Sequence, residues 1–246
     1  MNGREFYVGT LAMPPRLKRI VGGLVVLLLV LVALDAWLIA TLQPAGGPGL
    51  RAAKPQEYAG TLTREPYPML RMNTANGIKT YLLVSEEKRG AQGALGVTPD
   101  GPVKLAGFPI TRSGLSMIEL SANDAATISE TPAVEEPPRE ILRTVTLDGE
   151  IVDSKCWLGA MRPGEGHLHK ACASLCIRGG IPPMFVRRGG GDTPSLMLLT
   201  QADGSAVSPE TIIPFVADAV RVTGTIEKRA DLWVFKADLT TLTRTQ

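Results

Sequence analysis

An apolar run, IVGGLVVLLLVLVALDAWLIATL, occupies Ile20 to Leu42 and holds one ionisable residue, Asp35. Its 23 residues exceed the ~20 that a helix needs to cross a bilayer. The sequence therefore predicts a transmembrane helix over 20–42. A cleaved signal peptide would end its apolar core near Leu34 and offer a small-residue cleavage site. Here WLIATLQ continues apolar after Asp35, without a clear A-x-A site, which favours an uncleaved anchor. Arg16, Lys18 and Arg19 lie just before the run. The positive-inside rule then makes 1–19 a cytoplasmic N-terminus and sends the rest of the chain outside. Asp35 is expected either to be partly hydrated near the outer interface or to meet a neighbouring helix of a membrane partner.

Arg4, Arg16, Lys18 and Arg19 against Glu5 and Asp35 account for the whole net charge of +2. Residues 43–246 are thus neutral, with no clustered Lys/Arg stripe to bind nucleic acid. Residues 43–55 (QPAGGPGLRAAKP) and 121–140 (SANDAATISETPAVEEPPRE) read as Pro-rich linkers. They bound two segments, 56–120 and 141–246.

The two segments read as copies. Val103-x-Leu105-x-Gly107 precedes Arg112, Leu115 and Met117, and Val220-x-Val222-x-Gly224 precedes Arg229, Leu232 and Val234, every pair 117 residues apart. Gly60 and Gly149 head earlier strands, Met72 and Met161 each follow 12 residues later, and YLLV (81–84) matches LMLL (196–199). By this alignment the second copy carries about 26 extra residues. Short alternating strands with few helical stretches predict a mainly β chain. The expected architecture is two tandem small β-barrels of the OB type, the second with an insertion at about 162–187.

All three cysteines and both histidines fall in CWLGAMRPGEGHLHKACASLCIRGGIPPM, 156–184. HLHKACASLCIR (167–178) predicts a short helix, with Gly179 or Gly180 ending it and Pro182 and Pro183 preventing its continuation. His169, Cys172 and Cys176 then share one helix face, with Cys156 approaching from a strand end. Three readings follow. A disulfide from Cys156 to Cys172 or Cys176 would clamp the insertion, Cys172 with Cys176 being less natural on a regular helix. Cys156, His169, Cys172 and Cys176, with His167 as a further candidate, would suit zinc or a softer metal such as copper. An iron–sulfur cluster, which takes four cysteines or two with two histidines, is a further candidate because the numbers permit the latter set, although the Rieske spacing is absent; a site with no metal is an equal expectation. Thiol chemistry at Cys172, beside Lys170 and His169, is the third. Met161 and Met184 read as packing residues, and GGGD (189–192) as a hairpin loop. No G-x-S-x-G, P-loop, H-E-x-x-H or dinucleotide fingerprint is present, and no small-molecule substrate is implied.

The string GEIVDSKCWLGAMRPGEGHLHKACASLCIRGGIPPMFV (149–186) resembles a segment of bacterial membrane-anchored proteins. The resemblance implies that the insertion is a unit and assigns its residues no catalytic role. The sequence thus leads to an expected accessory, non-catalytic subunit of a bacterial inner-membrane complex, respiratory or electron-transferring, with its barrels in the periplasm. A metal-binding or electron-transfer protein and a thiol oxidoreductase are the alternatives.

Overall fold

The apolar run forms α1 (Pro15–Leu42), which starts on a proline where its missing N–H costs nothing. The structure, a computed structural model, describes residues 13–42, 49–121, 126–190 and 193–245. From Ile20 to Ile39 every residue of α1 is exposed. Pro15–Ile39 is long and apolar enough to cross a membrane. Residues 1–12 of the expected cytoplasmic segment and 43–48 of the expected tether lie outside the described residues. Contacts divide the chain into Met1–Gly46 and Gly47–Gln246.

The second unit opens with β1 (Leu50–Arg51). A closed barrel follows, built from β2 (Gln56–Thr63), β3 (Met69–Thr74), β4 (Gly77–Ser85), β5 (Gly101–Arg112) and β6 (Leu115–Leu120), with a helical turn, α2 (Gln92–Leu95), between β4 and β5. Its neighbours run β2-β3-β4-β6-β5 and back to β2, and only β4–β6 is parallel. After the short β7 (Thr127–Ile128), a second closed barrel is built from β8 (Arg139–Asp153), β9 (Pro183–Arg187), β10 (Leu196–Gln201), β11 (Ala219–Arg229) and β12 (Leu232–Arg244). Its neighbours run β8-β9-β10-β12-β11 and back to β8, again with one parallel pair, β10–β12. Two further helices, α3 (Lys170–Arg178) and α4 (Pro209–Ile212), lie in its connections.

Pairing registers coincide at the residues aligned in sequence. Gly60 faces Val103 as Gly149 faces Val220. Arg112 faces Leu115 as Arg229 faces Leu232, and Ile110–Met117 matches Glu227–Val234. At Gly107 and Gly224 a Cβ would run into the neighbouring strand, on Ile118 and on the Lys236 carbonyl. Close strand approach therefore explains the shared glycine.

Other alignments need correction. Met117 and Val234 face Leu82 and Leu198 across the parallel pairs. Tyr81 is thus equivalent to Met197, one residue from the sequence alignment. Runs buried on both faces lack the alternation that reveals register. Met72 lies inside β3, whereas Met161 lies beyond β8, so these methionines are not equivalent. Met69 and Met184, which face Leu82 and Leu198, are. The extra residues lie between β8 and β9, at 154–182, rather than at 162–187; residues 183–187 are β9 itself. Within 121–140, residues 122–125 lie outside the described residues, but 126–138 do not form a free linker. Ile128 pairs with Val103, Ala126, Ser129 and Val134 are buried, and the Val134 N–H donates to Thr61 Oγ1 at 2.7 Å. The expected hairpin at 189–192 is described only to Gly190.

The barrels share a core. Tyr67, Met69, Leu82, Ile110 and Met117 pack with Val152, Trp157, Met184, Leu198 and Val234. Tyr67 seals the junction: its hydroxyl donates to the Leu199 carbonyl and accepts from the Val207 N–H, both at 2.9 Å. Tyr67→Phe strands a buried N–H and should lower stability by about 1–3 kcal/mol. Urea unfolding of the full chain in detergent measures this, and a change below about 0.5 kcal/mol would contradict the buried hydroxyl bridge.

Candidate metal centre

The site grows from the end of β8. Asp153 is fully buried and its Oδ1 accepts the Cys156 N–H at 2.8 Å. That bond turns the chain into a wide helical turn, Cys156–Ala160, broken at Gly159, whose φ is 126°. Asp153 Oδ2 hydrogen-bonds His169 Nε2 at 3.0 Å. His169 closes a 3-10 turn, His167–His169, that leads directly into α3. A carboxylate at the strand end thus fixes where the helix starts. Cys172 and Cys176, four residues apart on α3, project from one face.

The result is a three-sulfur group. The Sγ atoms of Cys156, Cys172 and Cys176 all lie within 4.8 Å of one another. All three are free thiols, so the expected clamping disulfide is not formed. Cys156 and Cys176 are buried and Cys172 is half-buried. His169 belongs to a second group, with Asp153 and Cys156. It meets Cys156 but does not join the full sulfur set, so the four expected ligands do not form one centre. His167 is exposed and faces Asp218 Oδ1 at 3.4 Å instead. Asp35 sits on α1 in the other unit.

The first barrel completes the surroundings, as the sequence did not anticipate. Lys88 donates to Cys172 Sγ at 2.7 Å. Its loop is brought there by the end of α3: the Gly90 N–H donates to the Gly179 carbonyl at 2.8 Å, and a Cβ on Gly179 would collide with the Lys88 carbonyl. In return, Lys155 reaches into the first barrel and donates to the carbonyls of Ser85 at 2.8 Å and Glu87 at 2.6 Å. Arg112 of β5 lies 4.1 Å over the Trp157 ring and donates to its carbonyl at 2.7 Å. Met161 is half-exposed, not packed away, and its Sδ lies 3.6 Å from Cys172 Sγ. Met184, by contrast, is fully buried in the shared core.

Charge is distributed unevenly among these groups. The hydrogen bond between Cys156 and Cys176, with burial second, pushes the Cys156 thiol up. The same bond pulls Cys176 down, against burial and assisted by Lys88. Its bond to Cys172 holds the Lys88 ammonium above its ordinary range. Burial pulls Lys155 down, against the attraction of Glu119.

A tetrahedral ion with metal–sulfur bonds near 2.3 Å places its sulfurs ~3.8 Å apart. Three sulfurs mutually within 4.8 Å are close to that arrangement. Neither four thiols nor two thiols with two imidazoles converge among the described residues, so an iron–sulfur cluster lacks its ligand set. Comparisons with protein-family models, with curated proteins and with solved structures returned no match.

The burial difference has a direct chemical readout. In the full chain in detergent stripped of metal by a chelator, one thiol, Cys172, should be alkylated quickly, and all three only after denaturation. Mass spectrometry of alkylated peptides measures it. Three equally fast native thiols, or a single reactive thiol in denaturant without reductant, would contradict the buried, unbridged pair.

Proposed function

We propose that this chain is a membrane-anchored, non-catalytic accessory protein that binds one thiophilic metal ion through Cys156, Cys172 and Cys176. The observation that carries the reading is the convergence of three unbridged sulfurs. A structural disulfide needs only two sulfurs in contact, whereas a metal gathers three or four. His169 and Asp153 orient the sulfur-bearing segments, as second-layer partners of metal ligands commonly do. The strand order shared by the two barrels supports an OB-like identity and a tandem duplication.

The remaining parts of the proposal rest on sequence. Arg16, Lys18 and Arg19 support a cytoplasmic N-terminus, with the barrels on the outer side of a bacterial inner membrane. Asp35 supports contact with a membrane partner, such as a respiratory or electron-transfer complex. A second reading, thiol oxidoreductase chemistry at half-buried Cys172, is favoured by the Lys88 contact. Metal loading separates the two, because an ion held by three sulfurs blocks Cys172 alkylation.

Full-length chain purified in detergent under reducing conditions should retain about one equivalent of a thiophilic metal after dialysis, by elemental analysis, given its single three-sulfur group. Cys172→Ser should lose most of it. Retention that is substoichiometric and unchanged by Cys172→Ser would remove the metal reading. In spheroplasts, added protease should digest the barrels and spare the N-terminal segment. Barrels resistant until lysis would reverse the orientation.

A further inference from the structure

The donor set at the cysteines is more selective than its count suggests. The neighbouring nitrogen and oxygen groups gather with Cys156 alone, His169 Nε2 on Asp153 Oδ2 and Asp153 Oδ1 on the Cys156 N–H, and do not converge with all three sulfurs. The additional donor beside the three thiols is another sulfur, Met161 Sδ, 3.6 Å from Cys172 Sγ. That separation is close to the ~3.8 Å between sulfurs on one tetrahedral ion. Met161 is half-exposed, on the solvent side, whereas Cys156 and Cys176 are buried. A thioether is a soft, uncharged donor that suits monovalent copper and is a poor partner for zinc, which takes thiolate, imidazole or carboxylate.

Each ligating thiol releases its proton to solvent. Lys88, which donates to Cys172 Sγ at 2.7 Å, offsets part of the resulting thiolate charge, while Lys155 is held by the carbonyls of Ser85 and Glu87 and lies 3.8 Å from Glu119.

We infer that the site is built for a monovalent copper ion held by Cys156, Cys172 and Cys176, with Met161 as a fourth donor at its solvent-facing side. This assignment rests on the metal-binding reading above. The test is anaerobic titration of the full chain in detergent, with reductant, against a chromophoric copper(I) chelator, with zinc(II) titrated in parallel. The expected result is one copper(I) per chain, with Met161→Leu weakening copper(I) binding by at least about tenfold and leaving zinc affinity unchanged. Because Met161 is half-exposed, the leucine variant keeps the fold, which circular dichroism checks. Equal copper(I) affinity of variant and wild type overturns Met161 as a donor. Zinc bound in preference to copper(I) overturns the copper assignment while leaving a metal site. Neither ion bound stoichiometrically overturns the metal reading itself.

Discussion

A fully buried carboxylate, Asp153, sets the geometry on which the site depends. Its two oxygens tie the Cys156 backbone to the His169 ring, and so join the end of β8 to the start of α3. An unpaired charge at that depth would be costly, so the two bonds stand or fall with the fold of the insertion. With them in place, one cysteine leaves a strand end and two leave a helix face, and their sulfurs meet. Lys88 and Lys155 then cross between barrels in opposite directions, one to a thiol and one to backbone carbonyls. The insertion is therefore packed between both barrels, with Cys156 and Cys176 belonging to the core they share.

The two barrels also illustrate how one scaffold can carry unequal loads. Their strand orders agree, and their registers agree along the V-x-L-x-G strands and their partners, yet the second alone has the 154–182 excursion between its first two strands. The first barrel's corresponding loop, 64–68, instead sends Tyr67 into the junction. Arg112 and Arg229, equivalent by register, serve different ends. The former stacks on Trp157 in the insertion, and the latter is buried in an ion pair with Glu227.

Much of this was legible in the sequence. The V-x-L-x-G strands, spaced 117 residues apart, carried their register because alternation exposes it. The short helix and its glycine end were legible from the Gly-Gly-x-Pro-Pro stop signal. YLLV and LMLL were misaligned by one residue because both are buried on two faces and carry no period. The acidic, Pro-rich 121–140 read as a linker because composition does not reveal that Ala126 and Val134 find a barrel surface. At the site, helical spacing paired Cys172 with Cys176, but the turn after Asp153 was not readable, nor was the carboxylate that His169 meets. Lys88 left no local signal, since it meets Cys172 across 84 residues of chain. Met161 was misread as packing because its exposure depends on tertiary structure.

The central claim is that three cysteine sulfurs act as one ligand set. X-ray absorption at the metal edge of the loaded full chain tests it most directly. The account requires a first shell dominated by three or more sulfurs at about 2.3 Å. A shell dominated by nitrogen or oxygen, or one with fewer than three sulfurs, would contradict it.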